Sequence, residues 1–154
     1  MFIPWFQHQD SGSSFNVNEK VEWPVVLTEA EAWPTELTTR QWVQVSALAP
    51  TAHIAMAGAM RALWREPSPP RETIEIRGVL VVDYLKPPFI YSSGRAKRIA
   101  VISQRQRIRP DGAFEPTWEE WEARELDASV TTFRLRPSGS RHLSETGLFV
   151  TLAI

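Results

Sequence analysis

Apolar residues alternate with polar ones near the start of the chain, which is the pattern of strands with one buried face. A first strand is predicted at residues 1–7, and the turn-forming segment 8–14 follows it. The alternation resumes at 15–17 and runs cleanly through 21–27. Asn18 lies between these runs. Asparagine tolerates the positive φ that a tight turn often requires, so this position suits a tight turn. The opening therefore predicts the first strands of a twisted β-sheet or barrel.

The strongest strand pattern lies at 73–85, where apolar residues at every second position share one face. Gly78 in the middle of this run predicts a bend of the kind found at barrel corners. The last segment, 148–154, is apolar and carries no charge, so at an open sheet edge it would template aggregation. We therefore expect it to be paired within the sheet or across a homodimer. Other strands are predicted at 42–48, 96–109, 130–136 and 148–154.

Helical spacing occurs in two segments. At 51–65 the apolar residues recur at intervals of three and four, which predicts a helix. Gly58 weakens this prediction, and a β-rich alternative stays open. A second helix is predicted to begin near Thr117, which has the spacing of a capping box with Glu120. The segment 28–41 predicts a single helical turn or a loop.

These elements predict one β-rich domain over residues 1–154, with a proline-rich internal loop at 67–72. We expect a mainly β fold: an antiparallel, partly open small β-barrel with one or two short helices packed on it. A chain of 154 residues buries enough surface to fold without disulfides or a metal ion.

Composition narrows the classes of function. The chain has no cysteine, which excludes disulfides, thiolate nucleophiles and cysteine-based zinc sites, and which suits a reducing cytoplasm. The opening residues lack the features of a signal peptide, and the longest weakly polar run is too short to span a membrane. A net charge of −1 gives no global attraction to nucleic acid or anionic lipid, and it allows self-association as a homodimer.

Motifs that signal catalysis are missing from the sequence: it has no G-x-S-x-G, no G-x-G-x-x-G and no P-loop. His8 and Asp10 would share one face of a strand, but a metal site needs further ligands, and no histidine spacing typical of zinc is present. We therefore predict no catalytic residue, no metal and no cofactor, and we interpret the three histidines as solvated loop side chains.

Two adjacent blocks of opposite charge are the most distinctive feature of the sequence. Residues 95–109 carry a charge of +6, and residues 111–127 carry a charge of −6. Arg105, Arg107 and Arg109 alternate, so on a strand they project from one face as a candidate anion-binding ladder for phosphate or nucleic acid. The competing interpretation, which equal blocks joined by a tight turn favour, is that the acidic segment folds back and neutralises the ladder.

The chain has seven tryptophans, and in a protein of this size we assign them to the core by default. Trp118 and Trp121 lie three residues apart on the predicted second helix and would share one of its faces. They either dock that helix on the sheet or form a candidate interaction patch for a partner protein.

Through the spacing of Trp5, Gly12, Phe15, Val17, Val21 and Trp23, the opening also resembles a family of small uncharacterised actinobacterial proteins. That family is similar in an N-terminal pattern, a glycine-led apolar strand and a glycine-led closing strand. This sequence departs from the pattern at Asn18, where the family has glycine, and it lacks a cysteine pair. The resemblance implies an all-β fold and no activity. The matching residues are Trp5, Gly12, Phe15, Val17, Val21 and Trp23, then Gly78-Val79-Leu80-Val81 and Gly147-Leu148-Phe149-Val150.

The sequence as a whole favours a non-catalytic intracellular domain that binds an unidentified protein or a small ligand. Binding of nucleic acid or another anion through the basic strand 95–109 is the alternative, and the fold-back interpretation argues against it. An enzyme of unidentified class is the third reading.

Overall fold

The structure is a computed structural model, and it describes residues 1–11, 14–65, 72–130, 132–135 and 143–153. One α-helix, α1, spans Trp5–Ser11, and two single 3-10 turns span Ala30–Ala32 and Thr35–Leu37. Among the described residues, no helix is long and apolar enough to cross a membrane. The strands are β1 (Phe2–Pro4), β2 (Lys20–Glu29), β3 (Thr39–Ala49), β4 (Ala52–Ala57), β5 (Met60–Trp64), β6 (Thr73–Val82), β7 (Tyr91–Ile108), β8 (Phe114–Leu126) and β9 (Leu143–Ala153).

Eight of these strands close into a mixed β-barrel. They follow the order β2-β5-β4-β3-β6-β1-β9-β7, and pairing between β7 and β2 closes the ring. The ninth strand, β8, pairs with β7 outside the ring. The predicted mainly β fold is confirmed, but the barrel is closed rather than partly open. It is mixed rather than antiparallel, because β2 pairs in parallel with β5 and β1 pairs in parallel with β6.

The length of β7 explains why the barrel closes. This strand of 18 residues pairs with β9 along one edge, over residues 95–105. Its other edge pairs with β2 over 91–95 and then with β8 over 99–108. The first part of β7 therefore completes the barrel, while the second part carries a two-stranded ribbon beyond it.

Gly78 marks a close approach between β6 and β2. It lies opposite Glu29 of β2 and opposite Thr39 of β3. A Cβ atom at this position would lie 2.3 Å from the carbonyl oxygen of Thr28, so any side chain would push β2 and β6 apart.

Two apolar clusters lie on opposite sides of the barrel wall. The interior cluster includes Trp23, Val25 and Val82, which come from the alternating patterns of β2 and β6. The outer cluster is built on Phe2, Val79 and Ile102. Partly buried aromatic side chains cover this outer cluster: Trp33, Trp118, Trp121 and Phe149.

The predicted helix at 51–65 is wrong, and the β-rich alternative is the one observed. The segment forms a hairpin of β4 and β5, whose turn is made by Ala59 and by Gly58 at a φ of 58°. Pairing on both sides explains the difference, since β4 pairs with β3 and β5 pairs with β2. These long-range ladders outweigh the local helical spacing.

Three other local predictions also differ from the structure. The capping-box segment at Thr117 continues as strand β8, because it pairs with β7 instead of forming a helix. The first strand ends at Pro4, and α1 takes up most of the predicted turn 8–14. No strand forms over the described part of 130–136. The predicted loop 67–72 lies outside the described residues, apart from Glu72.

The closing strand is paired within the sheet, which is one of the two expected arrangements. β9 pairs with β1 on one edge over residues 147–149 and with β7 on the other edge over residues 143–153.

The core assignment predicts that Trp23→Ala lowers the free energy of unfolding by about 3–5 kcal/mol, because Trp23 is 6% exposed in the barrel interior. Trp42→Ala is the matched control: this tryptophan lies on β3 and is 65% exposed, so we expect a change within about 0.5 kcal/mol. Urea unfolding followed by far-UV circular dichroism measures both. Equal effects of the two substitutions would contradict the assignment of Trp23 to the core.

Candidate functional site

The β7–β8 ribbon presents two chemically different faces. Residues alternate across a strand, so Arg105 and Arg107 project to one side and Gln104 and Gln106 to the other. The arginine side carries ion pairs to β8. The glutamine side faces a cavity between the ribbon and α1.

This cavity has a volume of about 860 Å³. Most of its wall is aromatic or aliphatic, and a minority of its lining residues are polar. The lining residues come from the first residues of the chain, from the ribbon, from the start of β9 and from the segment before it. They are Phe2, Trp5, Phe6, Gln104, Gln106, Phe114, Pro116, Leu135, Glu145 and Thr146.

The first aromatic wall is fixed by the anchoring of α1. The side-chain oxygen of buried Gln7 accepts a hydrogen bond of 2.7 Å from the backbone N–H of Tyr84. The ring Nε2 of His8 lies 2.8 Å from the carbonyl oxygen of Val130. These bonds hold the helix against the barrel, so Trp5 and Phe6 line the cavity from a fixed position.

The second wall comes from the ribbon itself. Pro116 lies opposite Gln106 in the register of β7 and β8, and Phe114 lies opposite Ile108. Side chains directly opposite in an antiparallel pair project to the same face of the sheet. Phe114 and Pro116 therefore line the cavity beside Gln106.

A hydrogen-bonded chain fixes the polar part of the lining. The hydroxyl of Thr146 donates to Oε1 of Gln104 at 2.5 Å, and Nε2 of Gln104 donates to the carbonyl oxygen of Thr117 at 3.3 Å. Gln104 is 3% exposed and Thr146 is 7% exposed, so solvent competes little for these bonds. Nε2 of Gln106 donates to the carbonyl oxygen of Leu135 at 3.4 Å.

Glu145 is the one ionisable residue among the described lining residues, and both of its oxygens have partners. Arg124 of β8 lies 3.3 Å from Oε1, and the backbone N–H of Arg134 donates to Oε2 at 2.9 Å. The carboxylate therefore ties β9 to β8 and to the segment 132–135, and its charge is compensated at the cavity wall.

The acidic segment folds back on the arginine ladder as the charge blocks suggested. Each of the three arginines has an acidic partner on β8 or in the turn that leads to it. These pairs lie at the surface, so each contributes only about 0–1 kcal/mol to stability. The pairs are Arg105 with Glu120 at 3.8 Å, Arg107 with Glu115 at 3.2 Å and Arg109 with Asp111 at 3.2 Å. Anion binding by the ladder stays a prediction.

Trp118 and Trp121 do come together, but through a bulge rather than a helix. Trp121 lies opposite Gln104 and Thr117 opposite Arg105, so β8 advances four residues while β7 advances one. The bulge brings both indoles to the same side, with ring centroids 6.1 Å apart. Trp118 also packs within 5.0 Å of the ring of Trp33 in the outer cluster. Binding of a partner protein by these indoles stays a prediction.

The interpretation of the histidines as solvated is wrong for the two that the structure describes. His8 is 6% exposed and His53 is 2% exposed. The ring of His8 packs against Phe15 and Phe133, with centroids 5.9 and 5.8 Å away. Over the part of the chain that the structure describes, no group of three or more histidine, aspartate or glutamate residues is placed to hold a metal ion.

No model of a known protein family, no curated protein and no solved structure matches this chain. The resemblance to the actinobacterial family therefore stays a prediction. The local sequence pattern does not single out the residues that line the cavity as a site. The one local signal for them was the alternation of glutamine with arginine at 104–107, which places both amides on a single face.

Screening of the arginine ladder predicts that neutralising its partners unmasks anion binding. The wild-type protein should not bind single-stranded or duplex DNA at about 50 mM salt, whereas the double variant Glu115→Gln/Glu120→Gln should bind. With the two phosphate contacts that the freed Arg105 and Arg107 can make, log K for duplex DNA should fall against log salt with a slope of about −1.8. Fluorescence anisotropy at about 50 and 200 mM salt measures this slope.

The matched control is Glu119→Gln/Glu122→Gln, which changes the net charge equally but removes no ion pair to the ladder. Equal DNA binding by both double variants would attribute the effect to net charge and contradict screening. Binding by the wild-type protein that Arg107→Ala removes would favour the nucleic-acid alternative.

Proposed function

We propose that this protein binds a small, largely apolar molecule in the cavity between α1 and the β7–β8 ribbon. The observation that carries the proposal is the cavity itself. Its volume of about 860 Å³ lies within the range of roughly 300–1,000 Å³ usual for ligand sites. Four aromatic side chains and a few fixed polar groups line it, which is the usual composition of a site for a small organic molecule.

The anchoring of the cavity walls supports this function. α1 is held by Gln7 and His8, while Gln104 is held by Thr146 and by the backbone of β8. A preformed site loses little conformational entropy when its ligand binds, which favours affinity.

Binding without chemistry fits the lining better than catalysis does. Nucleophilic catalysis requires a hydroxyl or amine beside a base. The hydroxyl of Thr146 donates to an amide oxygen instead, and the carboxylate of Glu145 is engaged by Arg124 and by a backbone N–H. The described lining residues therefore present no activated nucleophile or free general base.

Anion binding through the basic strand is the second candidate function. The observation behind it is the surface exposure of the ladder, whose arginine side chains are 53–65% exposed. Because all three arginines are already paired with acidic residues, we favour ligand binding in the cavity over anion binding by the ladder. A cytoplasmic location remains our expectation from the cysteine-free composition.

The cavity proposal predicts that Phe6→Ala weakens binding of an uncharged apolar dye. N-phenyl-1-naphthylamine, whose fluorescence rises in apolar surroundings, is the probe. Loss of one aromatic contact is worth about 1 kcal/mol, so the Kd should rise about fivefold. Phe89→Ala is the matched control, because Phe89 is 41% exposed, close to the 38% of Phe6, and lies outside the cavity lining.

We expect the wild-type protein and Phe89→Ala to bind the dye with the same affinity. A dye that does not bind the wild-type protein, or that binds all three proteins equally, would contradict the cavity as the functional site.

A further inference from the structure

The polar groups of the cavity carry no uncompensated charge, and this restricts the ligands that fit it. Two amides and one hydroxyl supply the uncharged polar groups, from Gln104, Gln106 and Thr146. The carboxylate of Glu145 is already compensated by Arg124. A buried ion needs a partner of opposite charge, and the described lining offers none to an anion. Fatty acids and phosphorylated compounds are therefore poor ligands for this cavity.

The basic side chains of β7 do not change this conclusion. Arg105 and Arg107 project from the opposite face of the same strand, and each is paired with a glutamate of β8. The backbone ladder between β7 and β8 separates those guanidinium groups from Gln104 and Gln106.

Gln106 keeps hydrogen-bonding capacity for a ligand. A primary amide has two N–H donors and an oxygen with two lone pairs. Nε2 of Gln106 uses one donor on the carbonyl oxygen of Leu135, and its Oε1 accepts no hydrogen bond from the residues described. One donor and one acceptor therefore remain side by side at the cavity wall.

Gln104 beside it is held in place by its own bonds. The hydroxyl of Thr146 binds its Oε1 and the carbonyl oxygen of Thr117 binds its Nε2, so the amide of Gln104 cannot rotate to follow a ligand. The fixed wall leaves Gln106 as the group that selects the ligand.

We propose that the cavity takes an uncharged planar heterocycle whose edge carries an adjacent donor and acceptor, as a purine base does. Glutamine amides form paired hydrogen bonds with such edges. The flat faces of a heterocycle stack on aromatic rings, which Trp5, Phe6 and Phe114 supply from the two walls. This inference rests on the proposed function, because it specifies the ligand of the same cavity.

Displacement of N-phenyl-1-naphthylamine by three competitors tests the ligand class. Adenine is planar and has the donor–acceptor edge, and naphthalene is planar without a polar edge. Decanoate is an anion with an apolar chain. We expect adenine to displace the dye at the lowest concentration and decanoate to displace it least.

The variant Gln106→Leu tests the role of the amide. Its affinity for adenine should fall about tenfold or more, since a paired hydrogen bond to a base edge is lost. Its affinities for naphthalene and for the dye should stay at the wild-type values. Gln44→Leu, an exposed glutamine of β3 outside the cavity, is the matched control and should change none of them. Circular dichroism and thermal unfolding verify that both variants fold.

The outcomes separate this inference from the proposed function. If the dye and naphthalene bind in a Phe6-dependent manner but adenine does not, the ligand class is wrong and the cavity stands. Tighter competition by decanoate than by adenine, or equal loss of adenine and naphthalene binding in Gln106→Leu, would likewise contradict the heterocycle. If no dye binds to the wild-type protein, the proposed function itself fails.

Discussion

The pairing of β7 along both of its edges is the interaction on which the rest of the structure depends. One edge pairs with β9 over residues 95–105, and the other changes partner from β2 to β8. The contact with β2 closes the barrel around the interior cluster. The contact with β8 extends the sheet past the barrel and forms one wall of the cavity. A single strand thus joins the hydrophobic core to the candidate site.

The alternation of side chains along β7 then separates four environments. Val101 lies in the barrel interior and Ile102 in the outer cluster, so the same strand supplies both cores. Further along, Gln104 faces the cavity while Arg105 faces the acidic residues of β8. Because neighbouring residues point to opposite faces of β7, the face that lines the cavity carries uncharged amides while the face behind it is strongly charged.

The buried polar groups at the cavity wall already have hydrogen-bond or ion-pair partners within the protein. Gln104, Thr146 and Glu145 each have at least one partner at 3.3 Å or less. A satisfied network in surroundings of low dielectric constant is rigid, since breaking one bond leaves a buried group unpaired. Among the described lining residues, Gln106 is the amide whose Oε1 accepts no hydrogen bond, which gives the largely apolar cavity a point of recognition.

Local alternation along the sequence was enough to place most strands, because the polarity of each residue indicates whether it lies on the buried or the exposed face of its strand. It placed the runs through Trp23 and Leu80 and the apolar closing strand, while the opposite charge blocks predicted the fold-back of the acidic segment on Arg107. It was not enough for the hairpin at 52–64 or for the strand around Thr117. In both segments a helical pattern of spacing yielded to pairing with strands distant in sequence. The cavity also depended on tertiary structure, because Phe6, Gln106 and Thr146 are far apart in the chain and meet only through the register of β7, β8 and β9. Side-chain alternation is a local property of the chain, whereas the choice of strand partner is set by packing of the whole barrel.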